Sequence, residues 1–505
     1  MATRATENVR AILAYHEATK HSPDSVGRSR WVMDWSKKPD PFKRFLGLPQ
    51  SVLERDEGTP GRDALDAISA SPVAAAKIDR RTVARLLTWG AGVHHGVRSP
   101  DGETIFFRTY ASAGALYPVE TYLVCRALEG LDAGVYHYDP RGDALELIRE
   151  GDHRPSLVRA CASEPSIARA PAIVALTGIP WRTAWKYSER GYRHLFWDAG
   201  MIVANLLALA TSIDAPARVA MGFVDREVEV LLGLDSRREL PVCLLPVGTF
   251  EQESVTPASG SPEPLELRAQ PLSRTEYEFQ AITAANESGR LDSPERVQRW
   301  RAHAMVPGHR AEPTGAGGVT DGVEDVLRRR GSARRFGSAP MPADVLMDVV
   351  ARATAGVPTD HTPGGSHLIE PYAVVNRVDG LERGAYVWRD GEFGLLREGD
   401  FRVDAAFLCL DQRLGGTSAA TVFLMADLRA TFARMGARGY RAAQLEAGIV
   451  AGKVYLGAYA HRFGATGLTF YDDEVERFFE PDAEGKSCML VVAVGDSPRL
   501  RRDRA

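Results

Sequence analysis

The feature that most constrains this 505-residue chain is an internal duplication. Gly191-Tyr192-Arg193, followed by Asp198-Ala199-Gly200, returns as Gly439-Tyr440-Arg441, followed by Glu446-Ala447-Gly448. Downstream, Phe223-Val224-Asp225-Arg226-Glu227-Val228-Glu229 is answered by Phe470-Tyr471-Asp472-Asp473-Glu474-Val475-Glu476, and Val247-Gly248 by Val494-Gly495. Upstream, Gly130-Leu131, Gly134 and Tyr136 match Gly380-Leu381, Gly384 and Tyr386. The offset drifts only from 250 to 247 residues across these four blocks. Blocks kept in one order with small insertions between them indicate a tandem duplication, each copy being one structural unit.

The spaces between the blocks set the domain boundaries. We read 1–65 as an N-terminal extension, 66–250 as the first domain, 251–320 as a linker carrying helices, and 321–505 as the second domain. Residues 251–272 are rich in Pro, Ser and Glu, and Gly315, Gly317, Gly318 and Gly322 cluster further on, as linkers do. Between them, Tyr277, Phe279, Ile282, Val297 and Trp300 have helical spacing. Each half predicts strands (121–126 and 372–376), a long apolar helix (200–211 and 449–463) and a closing β-run (242–247 and 489–494). Strands interleaved with helices point to an α+β layered fold.

Composition narrows the function. Lys and Arg number 62 and Asp and Glu 66, a net charge of −4, which lacks the basic face that nucleic acid or an anionic membrane would need. No apolar core for a secretory signal is read in the first 17 residues, and the longest apolar stretch, 199–210, is too short to span a bilayer. Five scattered cysteines without a CxxC pair exclude a disulfide scaffold or Cys-rich zinc site and predict a reducing, cytoplasmic setting. His94-His95 lacks further ligands at metal spacing, so no metal site is expected. Gly485-Lys486-Ser487 has Glu480 where a phosphate loop needs Gly, and Gly90-Ala91-Gly92 with Gly96 is a residue too long for a dinucleotide fingerprint.

Three motifs remain. Ser112-Ala113-Gly114-Ala115-Leu116-Tyr117-Pro118 puts small residues and a hydroxyl ahead of a strand, where backbone can approach a flat or anionic ligand; an ordinary tight turn has the same composition. Arg329-Arg330-Gly331-Ser332-Ala333-Arg334-Arg335 packs four guanidiniums and a hydroxyl into seven residues, suited to a terminal phosphate or to a solvated helix end. Lys186-Tyr187 sits beside aromatics, where burial would lower the amine's pKa towards a general base; surface decoration is the alternative. A basic tail includes Arg499 and Arg501.

Together, Ser-Ala-Gly-Ala-Leu-Tyr-Pro-x-Glu-x-Tyr, the Gly-x-Tyr-x-Tyr at 134–138, Lys186-Tyr187 and the stretch Tyr15-His16-Glu17-Ala18-Thr19-Lys20-His21-Ser22 resemble the SagB/ThcOx dehydrogenases. These are thiazoline/oxazoline oxidases of the FMN-dependent nitroreductase superfamily. The second half resembles the superfamily through its Arg-x-x-Ser-x-Arg-Arg start. The resemblance implies two fused nitroreductase-like domains forming an intramolecular pseudo-dimer, with FMN at the interface. It implies Lys186 and Tyr187 as catalytic residues. Arg330, Ser332 and Arg334 would hold the phosphate, and Ser112, Ala113, Gly114, Ala115 and Leu116 would face the cofactor; Arg499 and Arg501, in a basic tail that is otherwise a frayed end, are added as cofactor-binding candidates.

The two copies are not equivalent. Aligning Gly356 with Gly92 sets the arginine cluster opposite Ile68-Ser69-Ala70-Ser71, the first turn opposite Pro363-Gly364-Gly365-Ser366-His367-Leu368, and Lys186-Tyr187 opposite Arg434-Met435. One composite site looks complete, so one FMN per chain is expected. The implied reaction oxidises an azoline in a peptide or carrier-bound intermediate to an azole. Dioxygen would be the electron acceptor, and a cyclodehydratase or synthetase the partner. The alternatives are an NAD(P)H-dependent nitro, quinone or enone reductase, an FMN-dependent desaturase of another amino-acid-derived bond, and a flavin-free scaffold.

Overall fold

The computed structural model describes residues 2–56, 62–69, 77–99, 102, 104–248, 254–305, 321–362 and 364–500. Runs rich in Val, Leu and Ala form two antiparallel sheets. The first comprises β1 (Gln50–Val52), β2 (Val119–Cys125), β3 (Gly134–Asp139), β4 (Ala144–Glu150), β5 (Ala172–Gly178) and β6 (Leu240–Val247), in the order β1-β4-β3-β2-β5-β6. The second comprises β7 (Glu370–Val375), β8 (Gly384–Arg389), β9 (Glu392–Glu398), β10 (Ala420–Ala426), β11 (Gly464–Leu468) and β12 (Ser487–Gly495), in the order β9-β8-β7-β10-β12-β11. Five strands correspond one for one. Even the irregularities repeat: bulges at Val135/Tyr136 and Leu176/Thr177 return at Ala385/Tyr386 and Leu424/Met425. The α+β architecture with two fused copies is therefore present.

Helices α1 (Ala2–Ala18), α2 (Pro180–Tyr187), α3 (Gly191–Ser212), α4 (Gln280–Ser288), α5 (Pro294–Ala304), α6 (Leu428–Met435) and α7 (Arg438–Ala460) build the centre. Every residue of α3 and α7 is buried, and the two helices lie against each other between the sheets. Both begin about ten residues earlier than their apolar runs predict. The added turns carry Arg193, Asp198, Arg438, Arg441 and Glu446, which interrupt the apolar pattern yet are buried because each finds a partner. The 33-residue helical stretch Pro180–Ser212 is long and apolar enough to cross a membrane, which corrects the shorter length read from sequence; its apolar 18-residue window is wholly buried inside the protein.

Ion pairs join the halves reciprocally. Arg190 and Arg193 of the first half donate to Asp472 at 2.8 and 2.7 Å, while Arg438 and Arg441 of the second donate to Asp225 at 2.7–2.8 Å. Each carboxylate also accepts a backbone N–H, from His21 (2.8 Å) and Leu291 (2.9 Å) respectively. Residue i meets j and j meets i, as in a two-fold dimer interface. These contacts extend the repeat beyond the blocks recognised in sequence. Arg193 donates to the His16 carbonyl at the end of α1, and Arg441 to the Asn286 carbonyl at the end of α4. Ser22-Pro23 and Ser293-Pro294 then cap the next helices, and Trp31 and Trp300 follow nine and seven residues later. The Tyr15–Ser22 stretch thus staples the interface.

Candidate active site

The turn ahead of β2 is strained. Gly114 has φ 65°, and Ala115 and Tyr117 follow with φ 54° and 47°. A non-glycine residue in this region costs about 1–3 kcal/mol, so something must hold it there. Asp198 of α3 does so: its carboxylate accepts from the Ser112 hydroxyl and from Ala113 N–H at 3.3 Å. The Ser112 oxygen in turn accepts Tyr117 N–H at 2.9 Å. Ser112, expected to offer its hydroxyl to a ligand, is instead committed within the turn. Leu116 packs with Ile179, Trp181 and Trp185 in an apolar cluster. Burial, against its hydrogen bonds to Ser112 and Ala113, raises the Asp198 pKa to about 7.

Lys186 and Tyr187, at the C-terminal end of α2, converge on this turn. A Cβ at Gly114 would lie 2.9 Å from the Tyr187 hydroxyl and 3.1 Å from Lys186 Nζ, so only glycine fits beneath them. Burial lowers the Lys186 pKa, and the Arg334 guanidinium from the second half lowers it further. The Tyr187 phenol is pushed up by burial and by Asp198, so it stays protonated. Its ring stacks on His194, with centroids 4.2 Å apart and an interplanar angle of 12°. Burial keeps His194 neutral, and neither of its ring nitrogens has a hydrogen-bond partner.

The second half supplies the arginines. Arg330 is buried and donates to the carbonyls of Thr109 (3.0 Å) and Arg108 (2.8 Å), which anchors the cluster to the strand leading into the first half's turn. Ser332, Arg334 and Arg499 remain exposed. The Ser332 hydroxyl lies 3.3 Å from Tyr455 OH, and Arg499 lies beside Gly331. Burial, with Arg330 and Arg499 among the nearby cations, lowers the His94 pKa to about 4. Arg501 falls outside the described residues. The described sequence-predicted residues therefore come from both halves to one place, except Leu116, whose side chain is core. Sequence reading missed Asp198 and His194, although the repeated Asp-Ala-Gly and Glu-Ala-Gly blocks mark the position of Asp198.

In the second half, the Ser366 hydroxyl and the Leu368 N–H both donate to Glu446 at 2.5 Å, repeating the Ser112–Asp198 arrangement, and burial raises the Glu446 pKa to about 7. Arg434 and Met435 stand at the end of α6 in place of Lys186 and Tyr187. On the phosphate side Ser69 is occupied by Arg352, whose guanidinium donates to it at 3.1 Å and to the Leu65 carbonyl at 2.8 Å.

The first site fits a planar cofactor with a phosphate. Ser332, Arg334 and Arg499 are exposed donors, the Gly114 turn leaves room for close approach, and His194 keeps unpartnered polar atoms behind Tyr187.

Comparison with known proteins agrees with this architecture. The nitroreductase family model matches twice, at residues 71–249 and 327–496. The protein MJ1384 of Methanocaldococcus jannaschii, named as a nitroreductase, is 32% identical over 142 residues, 28% of this chain and 70% of that protein. The microcin B17-processing protein McbC of Escherichia coli is 32% identical over 173 residues, 33% of this chain and 60% of McbC, so the match leaves two-fifths of McbC unspanned. A crystal structure assigned to the nitroreductases, from Anabaena variabilis, superposes with a TM-score of 0.75 at 24% identity, covering 96% of this chain and 99% of that one, and so shares the double fold. With the family match in both copies and the paired sheets around one interface, the chain belongs to the nitroreductase family.

Proposed function

We propose that the protein is an FMN-dependent dehydrogenase that oxidises an azoline ring, in a peptide or carrier-bound intermediate, to an azole. The observation that carries this reading is the convergence of Lys186 Nζ and Tyr187 OH on the Gly114 turn, with the charge of Arg334 from the other half acting on the lysine. Ser332, Arg334 and Arg499 would hold the phosphate, and the turn would lie along the ring system. When bound, FMN supplies a two-electron acceptor for the hydrogen that leaves the heterocycle with its electron pair, and dioxygen would reoxidise it.

The chain's own residues manage the proton. The Lys186 amine, lowered by burial and by a neighbouring cation, takes the acidic Cα proton of the azoline. Tyr187 remains a donor and, stacked on His194, is held in one orientation towards the substrate nitrogen. Trp31 and Trp35 cover the helix behind Lys186: the Trp31 indole donates to the Trp185 carbonyl at 3.0 Å, and Trp35 packs edge-on against Trp185 at 5.2 Å. Kinship to a microcin-processing protein supports a peptide substrate, with a cyclodehydratase as the supplier of the azoline. Five buried, unbridged cysteines fit a cytoplasmic setting.

The test is peroxide release from a synthetic thiazoline peptide, with flavin content measured alongside. Lys186→Ala should abolish turnover while FMN stays bound at about one per chain; unchanged turnover would remove the lysine's role. Anaerobic bleaching by NAD(P)H without thiazoline turnover would favour the reductase instead.

A further inference from the structure

One element of the first half has no counterpart among the described residues of the second. Twenty positions separate Gly92 from Ser112, whereas ten separate Gly356 from Ser366. In the second half Val357 pairs directly with Ser366. The extra residues of the first half form a hairpin of two strands, Val93–Arg98 and Thr104–Arg108, joined to neither six-stranded sheet. The copy that has this hairpin is the one that carries Lys186 and Tyr187.

The hairpin keeps an open edge that leads to the active-site turn. Arg108 N–H donates to the Tyr117 hydroxyl at 3.1 Å, and the Arg108 carbonyl accepts from Arg330 at 2.8 Å. Both groups therefore point away from the sister strand. Backbone groups of alternate residues share one side of a strand, so Phe106 and Thr104 direct theirs along the same edge. Neither has a hydrogen-bond partner there among the described residues. An open strand edge is usually guarded by proline, by lysine or by a covering element. Thr104-Ile105-Phe106-Phe107-Arg108 has no such residue, and its one charge is buried. One face of the hairpin is apolar and turned to solvent. There Val97 and Ile105 oppose each other at 49% and 41% exposure, and Phe107 stacks on His95 with centroids 5.1 Å apart. The other face is seated, with Phe106 edge-on to Phe42 at 5.4 Å.

We infer that this edge binds the extended backbone flanking the azoline of a peptide substrate, as a third strand beside Thr104–Arg108. An added strand gains affinity from main-chain hydrogen bonds and sets its alternate side chains on the two faces, here against Ile105 and Phe107 on the exposed one. The edge ends at Tyr117, in the turn on which Lys186 and Tyr187 converge, so a strand lying along it brings its next residues to the proposed base. An azoline has no amide N–H of its own, and pairing falls to the residues beside it. The edge thus selects a peptide with residues beyond the ring over a single heterocycle on a carrier. Only the identity of the occupant rests on the proposed azoline oxidation; the open edge does not.

The experiment measures binding to the FMN-saturated full chain by fluorescence anisotropy, without turnover. The probe is a fluorescein-labelled octapeptide with a central thiazole, alternating valine and serine on either side of it. Two further versions carry N-methyl groups on alternate amides, one for each side of the strand. Blocking the amides that face Thr104 and Phe106 should weaken binding about tenfold or more, while blocking the opposite set should leave it within about twofold. Thr104→Pro removes one outward N–H, leaves the ladder to Val93–Arg98 intact, and should weaken the unmethylated probe about fivefold. The methylated probes read the wild-type chain, so the result does not depend on how the variant folds. Absence of binding, equal affinities of the two methylated probes, or undiminished binding to Thr104→Pro would overturn the inference. So would a dimer at the assay concentration that Thr104→Pro dissolves, which would give the edge to a second copy of the chain. A probe that binds as expected while the matching thiazoline is not oxidised would instead remove the proposed reaction and leave the edge as a peptide site.

Discussion

Gly200 and Gly448 touch at the crossing of the two long helices. A Cβ on Gly200 would lie 2.5 Å from the Gly448 carbonyl carbon, and one on Gly448 would lie 2.6 Å from the Trp197 carbonyl oxygen. Each obstacle is backbone within a fully buried helix, so neither can yield cheaply. Gly200→Ala and Gly448→Ala should each destabilise the protein by about 1–3 kcal/mol despite the better helix propensity of alanine. Urea unfolding midpoints check this, and a stabilised variant would show that the helices can separate.

The reciprocal clasps make a paired prediction. Against the upward push of burial, Arg190 and Arg193 hold the Asp472 carboxyl far below the usual range, and Arg438 and Arg441 also lower that of Asp225. Asp472→Asn or Asp225→Asn strands two buried guanidiniums and should cost roughly 3–5 kcal/mol. Because the geometries are twins, the two losses should be similar. Thermal denaturation of both variants side by side would expose any inequality.

Asp198 and Glu446 behave oppositely. Their pKa values are raised to about 7, so the folded state binds protons the unfolded chain releases. Their contribution to stability is full below pH 4 and is lost as pH rises through 7, by roughly 3–4 kcal/mol per carboxyl. Asp198→Asn should flatten this slope between about pH 4 and 7. A slope unchanged in the variant would mean that the carboxyl does not titrate there.

Arg334 should tune the proposed base. Its charge lowers the Lys186 pKa, so Arg334→Gln should move the rising limb of the rate–pH profile to higher pH when FMN is kept saturating. A limb that stays in place would separate Arg334 from Lys186.

Flavin content tests the asymmetry between copies. Arg352 donates to Ser69 on the phosphate side of the second site, and Arg434-Met435 stands at the end of α6 in place of Lys186-Tyr187. One FMN per chain is expected by absorbance and protein assay, and a ratio near two would refute the loss of the second site.

Much of this molecule could be read from its sequence, because duplication repeats local patterns and local patterns dictate local structure. The Gly-Tyr-Arg and Asp-Ala-Gly blocks pointed to matched helices, and the closing apolar runs to matched strands. The expectation of a composite arginine, turn and Lys-Tyr site came from the family resemblance together with the alignment of the two copies. What the sequence did not disclose was partnership. Arg193 and Asp472 lie 279 residues apart, and their pairing exists only once two sheets and two helices have been brought together. The same holds for Ser112, whose hydroxyl turns inward to Asp198 rather than outward to a ligand. The early starts of α3 and α7 were hidden for that reason too: a charged residue signals solvent until a distant opposite charge makes its burial favourable. Periodicity and motif are properties of the chain, whereas which polar groups meet in the dry interior is decided only by the tertiary fold.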